Sequence, residues 1–376
     1  MTALFFGLSV LFGLIFFYPY FIYPMLLRLW PARPVTPDPA AATPSATLVF
    51  CAYNEGRSIG DKIANLRAIR EVAPDVKFAC YVDVSTDDTL ALLREHSDLI
   101  DVHAATERTG KAVGMSKLAK EFCDTEVMIF TDANVLVEPA SIPRLLAYFS
   151  DASLGGICGT LIYTNEDATE TAATSSFYWR LEELVKAMES RSGSTLGADG
   201  SIFATRRALY PYVPPHLMDD FIVSMSVIFA GRRLVSAPDV IAYEQAATAS
   251  ADEFRRKRRI ACRAYGSHRH ISHQVWKLAF PERVKYVSHR MIRWYGLVFA
   301  ALSAAFFVLF LATLSWPLGV AAGLAIAAFA KWGGRLKIKG VSHAHEALIL
   351  LWATLLGILD AWSGKTYQTW QPPQSR

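Results

Sequence analysis

Apolar positions in this chain fall into two end regions and a middle built of short alternating runs. Residues 3–27 are uncharged and long enough to span a bilayer. Near the other end, apolar runs cover about 295–314, 316–331 and 346–362. The stretch 31–45 is rich in Pro, Ala and Thr and has no periodicity, which marks a linker. Beyond it, strand-like runs lie at 47–52, 78–82, 127–131 and 154–163, with a weaker one near 100–104. Helical patterns at about 57–70, 88–97, 111–123 and 139–150 alternate with them. That order predicts an α/β domain with a mostly parallel sheet and helices on both faces. Right-handed crossovers then bring the strand ends to one edge, where ligands of open α/β sheets bind.

These patterns divide the chain into an N-terminal spanning helix (1–30), the linker (31–45), an α/β domain (46–250), basic and amphipathic interface helices (251–293), C-terminal spanning helices (294–364) and a tail (365–376). The 376 residues are 52% hydrophobic with a mean hydropathy of +0.24, too apolar for an ordinary soluble protein. A cleavable signal peptide fits the first run poorly, because no basic residues precede it and no small-residue cleavage site closely follows. Arg28 and Arg33 follow the first span, and the basic segment 331–339 separates the third and fourth. The positive-inside rule therefore puts the α/β domain and that loop in the cytoplasm. One span before the domain and three after it place both termini outside, in a multi-pass protein of a bacterial-type inner (plasma) membrane. The five cysteines have no metal-binding spacing. Free thiols suit a reducing cytoplasm.

Each strand end carries polar residues. The first gives Ala52-Tyr53-Asn54-Glu55, the second Asp83-Val84-Ser85-Thr86-Asp87 and the fourth Asp132-Ala133-Asn134. Asp132 and Asn134 point to one side of an extended chain. They offer two oxygen ligands to a hard cation, the rest coming from diphosphate and water; the alternative is a simple Asx turn. Neither GxGxxG nor GxxxxGK[ST] occurs, so dinucleotide dehydrogenases and P-loop enzymes are poor fits. Asp219 and Asp220 precede an apolar segment, which favours a raised pKa and a general base. The run Arg255 to Arg259 places Arg256 and Arg259 three apart, on one helical face. Its other basic residues are expected to face solvent or anionic headgroups.

Taken in order, Tyr53-Asn54-Glu55, Asp83, Arg108-Thr109-Gly110-Lys111, Asp132-Ala133-Asn134, Gly197-Ala198-Asp199-Gly200, Asp219-Asp220 and the basic run resemble the membrane-bound family 2 glycosyltransferases of GT-A fold. The resemblance covers roughly 46–265 and the flanking spans. It implies that Tyr53, Asn54 and Glu55 border the uracil and ribose of a donor, that Asp83 holds the base, and that Lys111 offers a cation to phosphate. Asp132 and Asn134 would hold Mg²⁺ or Mn²⁺ on the diphosphate. Asp199 and Gly200 belong to the nucleotide-sugar site, Asp220 aligns with the general base beside Asp219, and Arg256 and Arg259 fit the family's (Q/R)xxR positions at the diphosphate.

Three positions depart from the family pattern. Val84 stands where many relatives have Gly, so a different backbone is expected there. Asn134 replaces a second carboxylate. Ile260 replaces the Trp that shapes the acceptor site of processive synthases. The segment Trp276–Trp294 mixes aromatic and basic residues as an interfacial helix does. His268, His270, His273 and His289 have irregular spacing and read as interfacial residues, not metal ligands. The expected function is inverting transfer of a sugar from a UDP-sugar or similar donor to a membrane-associated acceptor: a glycolipid, a polyprenyl-linked glycan or an exopolysaccharide. Competing readings are a small processive polysaccharide synthase and a non-catalytic sugar-nucleotide-binding subunit. The basic run adjoins membrane spans, so nucleic acid is not an expected partner.

Overall fold

The computed structural model describes residues 1–336 and 338–369. Eight strands form one sheet: β1 (Ala46–Ala52), β2 (Lys77–Val82), β3 (Asp101–Ala104), β4 (Val127–Thr131), β5 (Leu136–Val137), β6 (Leu154–Tyr163), β7 (Ile202–Arg206) and β8 (Arg233–Glu244). Their order is β3-β2-β1-β4-β7-β6-β8-β5. The block β3-β2-β1-β4 is parallel, as the alternation of strands and helices predicts. Three strands that the apolar pattern does not mark complete the sheet, among them the two-residue β5, which pairs antiparallel with β8. β7 inserts antiparallel between β4 and β6, and β8 pairs parallel to β6. β7 ends in Thr-Arg and β8 contains Pro238, so neither reads as a plain apolar run.

β1 shows why the sheet is covered on both faces. All seven residues are buried, and strand alternation splits them. Leu48, Phe50 and Ala52 pack into one core layer with Ile59, Ile63, Leu66 and Ile69. Those four line one stripe of the helix Ile59–Val72. Each such side chain contributes roughly 1.5–3 kcal/mol on burial. Val49 and Cys51 face the other layer, with Met115, Phe221, Ile271 and Tyr286. The long helix Glu170–Arg191, also unmarked by apolar periodicity, starts where the Thr169 side chain accepts from the Ala172 N–H at 3.1 Å.

Among the described residues, four helices are long and apolar enough to cross a membrane: Thr2–Leu27, Gly296–Leu314, Trp316–Leu336 and Gly340–Trp362. Thr2–Leu27 bends through a π-helical turn at Tyr18–Ile22 and pairs with Gly296–Leu314. Phe12 stacks on Phe306 there at 5.7 Å. The fourth helix behaves differently. It packs along the helix Ser250–Val275, with Glu346 accepting from Ser250 at 2.9 Å near its start and Asp360 holding Arg258 near its end. The chain beyond it returns to the α/β domain, where the Gln368 side-chain amide donates to Thr109 O at 3.1 Å. The segment after the last helix thus touches the α/β domain itself.

The histidines also divide. His270 and His273 are exposed, as interfacial residues should be, and His268 is half-buried. His289 is fully buried between Glu189 and Glu182, at 2.9 Å from each. It ties the segment 280–294 to the helix Glu170–Arg191 and is not an interfacial residue.

Candidate active site

A cavity of about 1190 Å³ opens at the carboxyl ends of the parallel strands and runs on toward the first and last apolar helices. Glu55, Lys111, Asp132, Asn134, Asp199 and Gly200 line it, as do Asp219, Asp220, Arg256 and Arg259. Tyr53, Asn54 and Asp83 do not. Asp83, expected at the base, is fully buried. Its oxygens accept from the backbone N–H groups of Thr109 and Gly110 at 2.8 and 3.0 Å. It therefore shapes the Arg108–Lys111 loop from beneath. Tyr53 lies under Arg108, whose guanidinium sits 3.1 Å from the ring centroid. Asn54 accepts from Thr86 N–H at 2.8 Å and joins the ends of β1 and β2.

Val84 has φ of 55°. This lies in the left-handed region that suits glycine. A β-branched residue there is strained.

Gly200 is the point where the chemistry converges. A Cβ at this position would lie 3.0 Å from Lys111 Nζ, 3.4 Å from Asp132 Oδ2 and 3.5 Å from Asp220 Oδ2. A side chain here would crowd the Lys111 ammonium and touch both carboxylates. Lys111 donates to Asp132 at 2.5 Å and stands 4.0 Å from Asp219. Burial disfavours the charge on Lys111, but the carboxylates of Asp132, Asp219 and Asp220 outweigh it and hold the ammonium firmly protonated. Asp219 and Asp220 open the helix Asp219–Phe229. Neither caps it across the turn: the Asp220 carboxylate accepts from the adjacent Phe221 N–H at 2.7 Å. Removal from water, then the charge of Asp219, push the Asp220 pKa from 3.8 to about 7.

Asp132 and Asn134 reach the cavity from the turn after β4. The Asn134 amide nitrogen donates to Glu244 at 2.9 Å. An ionised carboxylate accepts only, so this bond fixes which end of the amide is oxygen. One carboxylate and one amide oxygen form an all-oxygen donor set that suits Mg²⁺ or Mn²⁺. Among the described residues no cluster of three His, Cys, Asp or Glu could hold a metal. The two protein ligands fit a cation only when diphosphate and water supply the rest.

Several site residues escape sequence reasoning. Lys62 is fully buried below the Asp132–Asn134 turn and donates to Val135 O at 2.6 Å. Burial lowers its pKa to about 7. The available signal is a lysine inside the apolar stripe Ile59, Ile63, Leu66. Lys186 clamps Asp199 at 2.8 Å, and Glu244 ends β8. Both lie on elements the apolar pattern does not mark. The basic run is also more engaged than expected. Arg256 pairs with Glu253 at 3.3 Å, and Arg258 makes a two-pronged bond to Asp360 at 2.7 and 2.8 Å. Lys257 lies 4.1 Å from the Tyr178 ring centroid. Of the three basic residues expected to face outward, only Arg255 is exposed.

Residues 44–296, more than half of the chain, match the model of the glycosyltransferase-like family 2. The chain belongs to this family. No curated protein sequence matches it significantly. Among solved structures, this glycosyltransferase is similar to a mannosyltransferase from Pyrobaculum calidifontis in complex with GDP-mannose and Mn²⁺. The identity is 19%, the TM-score 0.73, and the match covers 94% of this chain and 99% of that one. TarS from S. aureus matches at 12% identity and a TM-score of 0.46, over 85% and 92% of the two chains. GalNAc-T7 with UDP, GalNAc and Mn²⁺ matches at 16% and 0.41, over 54% and 44%. The first of these establishes the GT-A fold.

Proposed function

We propose that this glycosyltransferase moves a sugar, with inversion, from a nucleoside diphosphate donor to a membrane-associated acceptor. The observation that carries the reading is the meeting of Asp220, Lys111 and Asp132 around Gly200. Asp220, with its pKa near 7, takes the proton of an acceptor hydroxyl as that oxygen attacks C1 of the sugar. The bond from C1 to the diphosphate oxygen breaks, and the nucleoside diphosphate leaves with the electron pair. Lys111 faces the negative charge that grows on it. Asp132 and Asn134 would hold a divalent cation, which when bound supplies Lewis-acid neutralisation of the leaving diphosphate. Arg256 and Arg259 share the cavity wall toward the same group. Glu55 and Arg108 line the cavity beside it, the latter on the loop that Asp83 shapes, and suit the nucleoside. In a bacterial-type inner membrane, the domain sits on the cytoplasmic side, where nucleotide sugars are made.

A UDP-sugar is the first donor to test. A GDP-sugar is the second, since the Pyrobaculum calidifontis enzyme of the same fold was solved with GDP-mannose and Mn²⁺. The test screens both for Mg²⁺- or Mn²⁺-dependent release of nucleoside diphosphate in native lipid extract. Addition of one sugar supports the transferase, whereas a ladder of products favours the processive alternative. Asp220→Asn should abolish transfer, by at least about 10²-fold, while nucleotide binding persists. Unchanged turnover in that variant removes Asp220 as the base.

A further inference from the structure

Asn134 stands where the family pattern has a second carboxylate, yet a carboxylate is still present beside it. The Asn134 amide nitrogen lies 2.9 Å from Glu244 Oε1, between the turn after β4 and the end of β8. Both residues line the cavity, as Asp132 does. Strand pairing on two sides places Glu244 there. It pairs with Tyr163 of β6, and its carbonyl accepts from the Thr164 N–H at 3.0 Å. Its neighbour Tyr243 pairs with Leu136 of β5, two residues beyond Asn134. The carboxylate is therefore carried to the turn by the sheet itself. Glu244 is only 9% exposed. A carboxylate so deep is costly to keep unless its charge is offset or used. Arg256 does not account for it alone, because Glu253 acts on that guanidinium more strongly and contacts it at 3.3 Å.

The charges around Asp132 give that carboxylate a use. Lys111 donates to Asp132 at 2.5 Å, and the buried Lys62 also feels its charge. One carboxylate already shared with an ammonium is a weak anchor for a divalent cation, whose affinity follows the charge of its donor set. Orientation adds a second need. The Asn134 nitrogen is fixed on Glu244, and its oxygen accepts from no protein donor among the described residues. Turned the other way, the amide would present N–H groups to a cation. A hydrogen-bonded partner that orients a ligand in this way is part of a metal site although it sits outside the motif.

We infer that Glu244 is a positioning residue that replaces the second carboxylate of the cation site: from β8 it holds the Asn134 amide with its oxygen free for the cation and supplies the negative charge that the turn lacks. The inference rests on the cation-assisted transferase reading and deepens it.

The test measures Mn²⁺ binding by calorimetry on the full chain in nanodiscs, saturated with UDP or, where UDP does not bind, with GDP. Glu244→Gln keeps the shape and an acceptor oxygen and removes only the charge. It should weaken Mn²⁺ binding at least about tenfold, the lower end for partners of metal ligands. Asn134→Asp restores the family pattern but sets two carboxylates against each other where the structure has a hydrogen bond of 2.9 Å, so it should weaken Mn²⁺ as well. The double variant carries the carboxylate in the turn and the amide on β8. It should return to within about threefold of the unaltered protein, since residues in contact couple. General damage to the fold does not produce such a return. Unchanged Mn²⁺ affinity in Glu244→Gln overturns the inference, as does tighter binding in Asn134→Asp alone or a double variant no better than the weaker single one. Release of nucleoside diphosphate by the unaltered protein is read separately. Its absence counts against the transferase, whereas the Mn²⁺ series counts against Glu244 alone.

Discussion

Asp220 stands between opposing fields: withdrawal from water and Asp219 favour its proton, whereas Lys111 favours its charge. A base must be ionised to work, so activity should rise with pH to a midpoint near 7. Stability should move the other way. Between about pH 4 and pH 7 the folded carboxyl keeps a proton that the unfolded chain, at its ordinary value of 3.8, has lost. The folded state then binds more protons, and rising pH through that window weakens it. Asp219→Asn removes the second raising cause and should shift the midpoint of kcat/KM to lower pH. A profile that stays in place would show that Asp219 does not tune the base. Val84 makes an independent residue-scale case. Its left-handed φ costs roughly 1–3 kcal/mol, more than the ~0.5–1 kcal/mol of extra chain entropy that Gly loses on folding. At 37% exposure little burial is lost. Val84→Gly should therefore stabilise by about 1 kcal/mol, seen as a higher melting midpoint with activity retained. A lower midpoint would mean the backbone there is not strained. The residue types at these positions are legible in the sequence; the backbone angle at Val84 is not, because side-chain identity alone predicts the opposite.

At the scale of elements, the polar edge of the sheet was readable where strands and helices alternate, since β1, β2 and β4 announce their own ends. Its far wall was not. Lys186 and Glu244 come from the helix Glu170–Arg191 and from β8, whose polar and apolar residues follow neither a clean helical stripe nor a clean strand alternation. Lys62 shows how one element sets another. The helix Ile59–Val72 carries a lysine into the core to hold the turn after β4, through Val135 O and, at 3.3 Å, Thr131 Oγ1. No carboxylate stands within 4.0 Å of this lysine among the described residues, so its charge is costly to bury. Lys62→Met trades that cost for a lost donor. Stability should change little, within about 1 kcal/mol, because the relieved desolvation offsets the unpaired carbonyl. The turn carrying Asp132 and Asn134 loses its anchor. The Mn²⁺ concentration for half-maximal activity should rise severalfold, and calorimetric Mn²⁺ titration in the presence of nucleoside diphosphate should weaken in parallel. Unaltered metal titration with lowered stability would reduce Lys62 to a packing residue.

At the scale of the whole molecule, apolarity and alternation are one-dimensional properties, and they place the α/β domain between apolar ends correctly. Hydropathy cannot tell a helix that crosses a bilayer from one that lies on it with one face against protein. The last helix carries the distinguishing signal in its stripe: Glu346, Leu350, Ala353, Gly357 and Asp360 recur every three or four residues. That stripe faces Ser250–Val275, so closely that a Cβ on Gly357 would lie 2.3 Å from Arg258 O. The opposite face presents Trp352, Leu359 and Trp362 outward. Protein contacts near both ends of this helix, Glu346 with Ser250 and Gln368 beyond it with Thr109, tie it to the domain. These contacts predict three crossings and a last helix that lies on the membrane surface, with the C-terminal segment on the side of the domain. All five native cysteines are buried, so introduced thiols can be read against a low background. In sealed vesicles, Glu107→Cys in the domain and Ser363→Cys after the last helix should react with a membrane-impermeant reagent from the same side. Ser315→Cys, between the second and third apolar helices, should react only from the other. Labelling of Ser363→Cys together with Ser315→Cys would mean that the last helix crosses the bilayer.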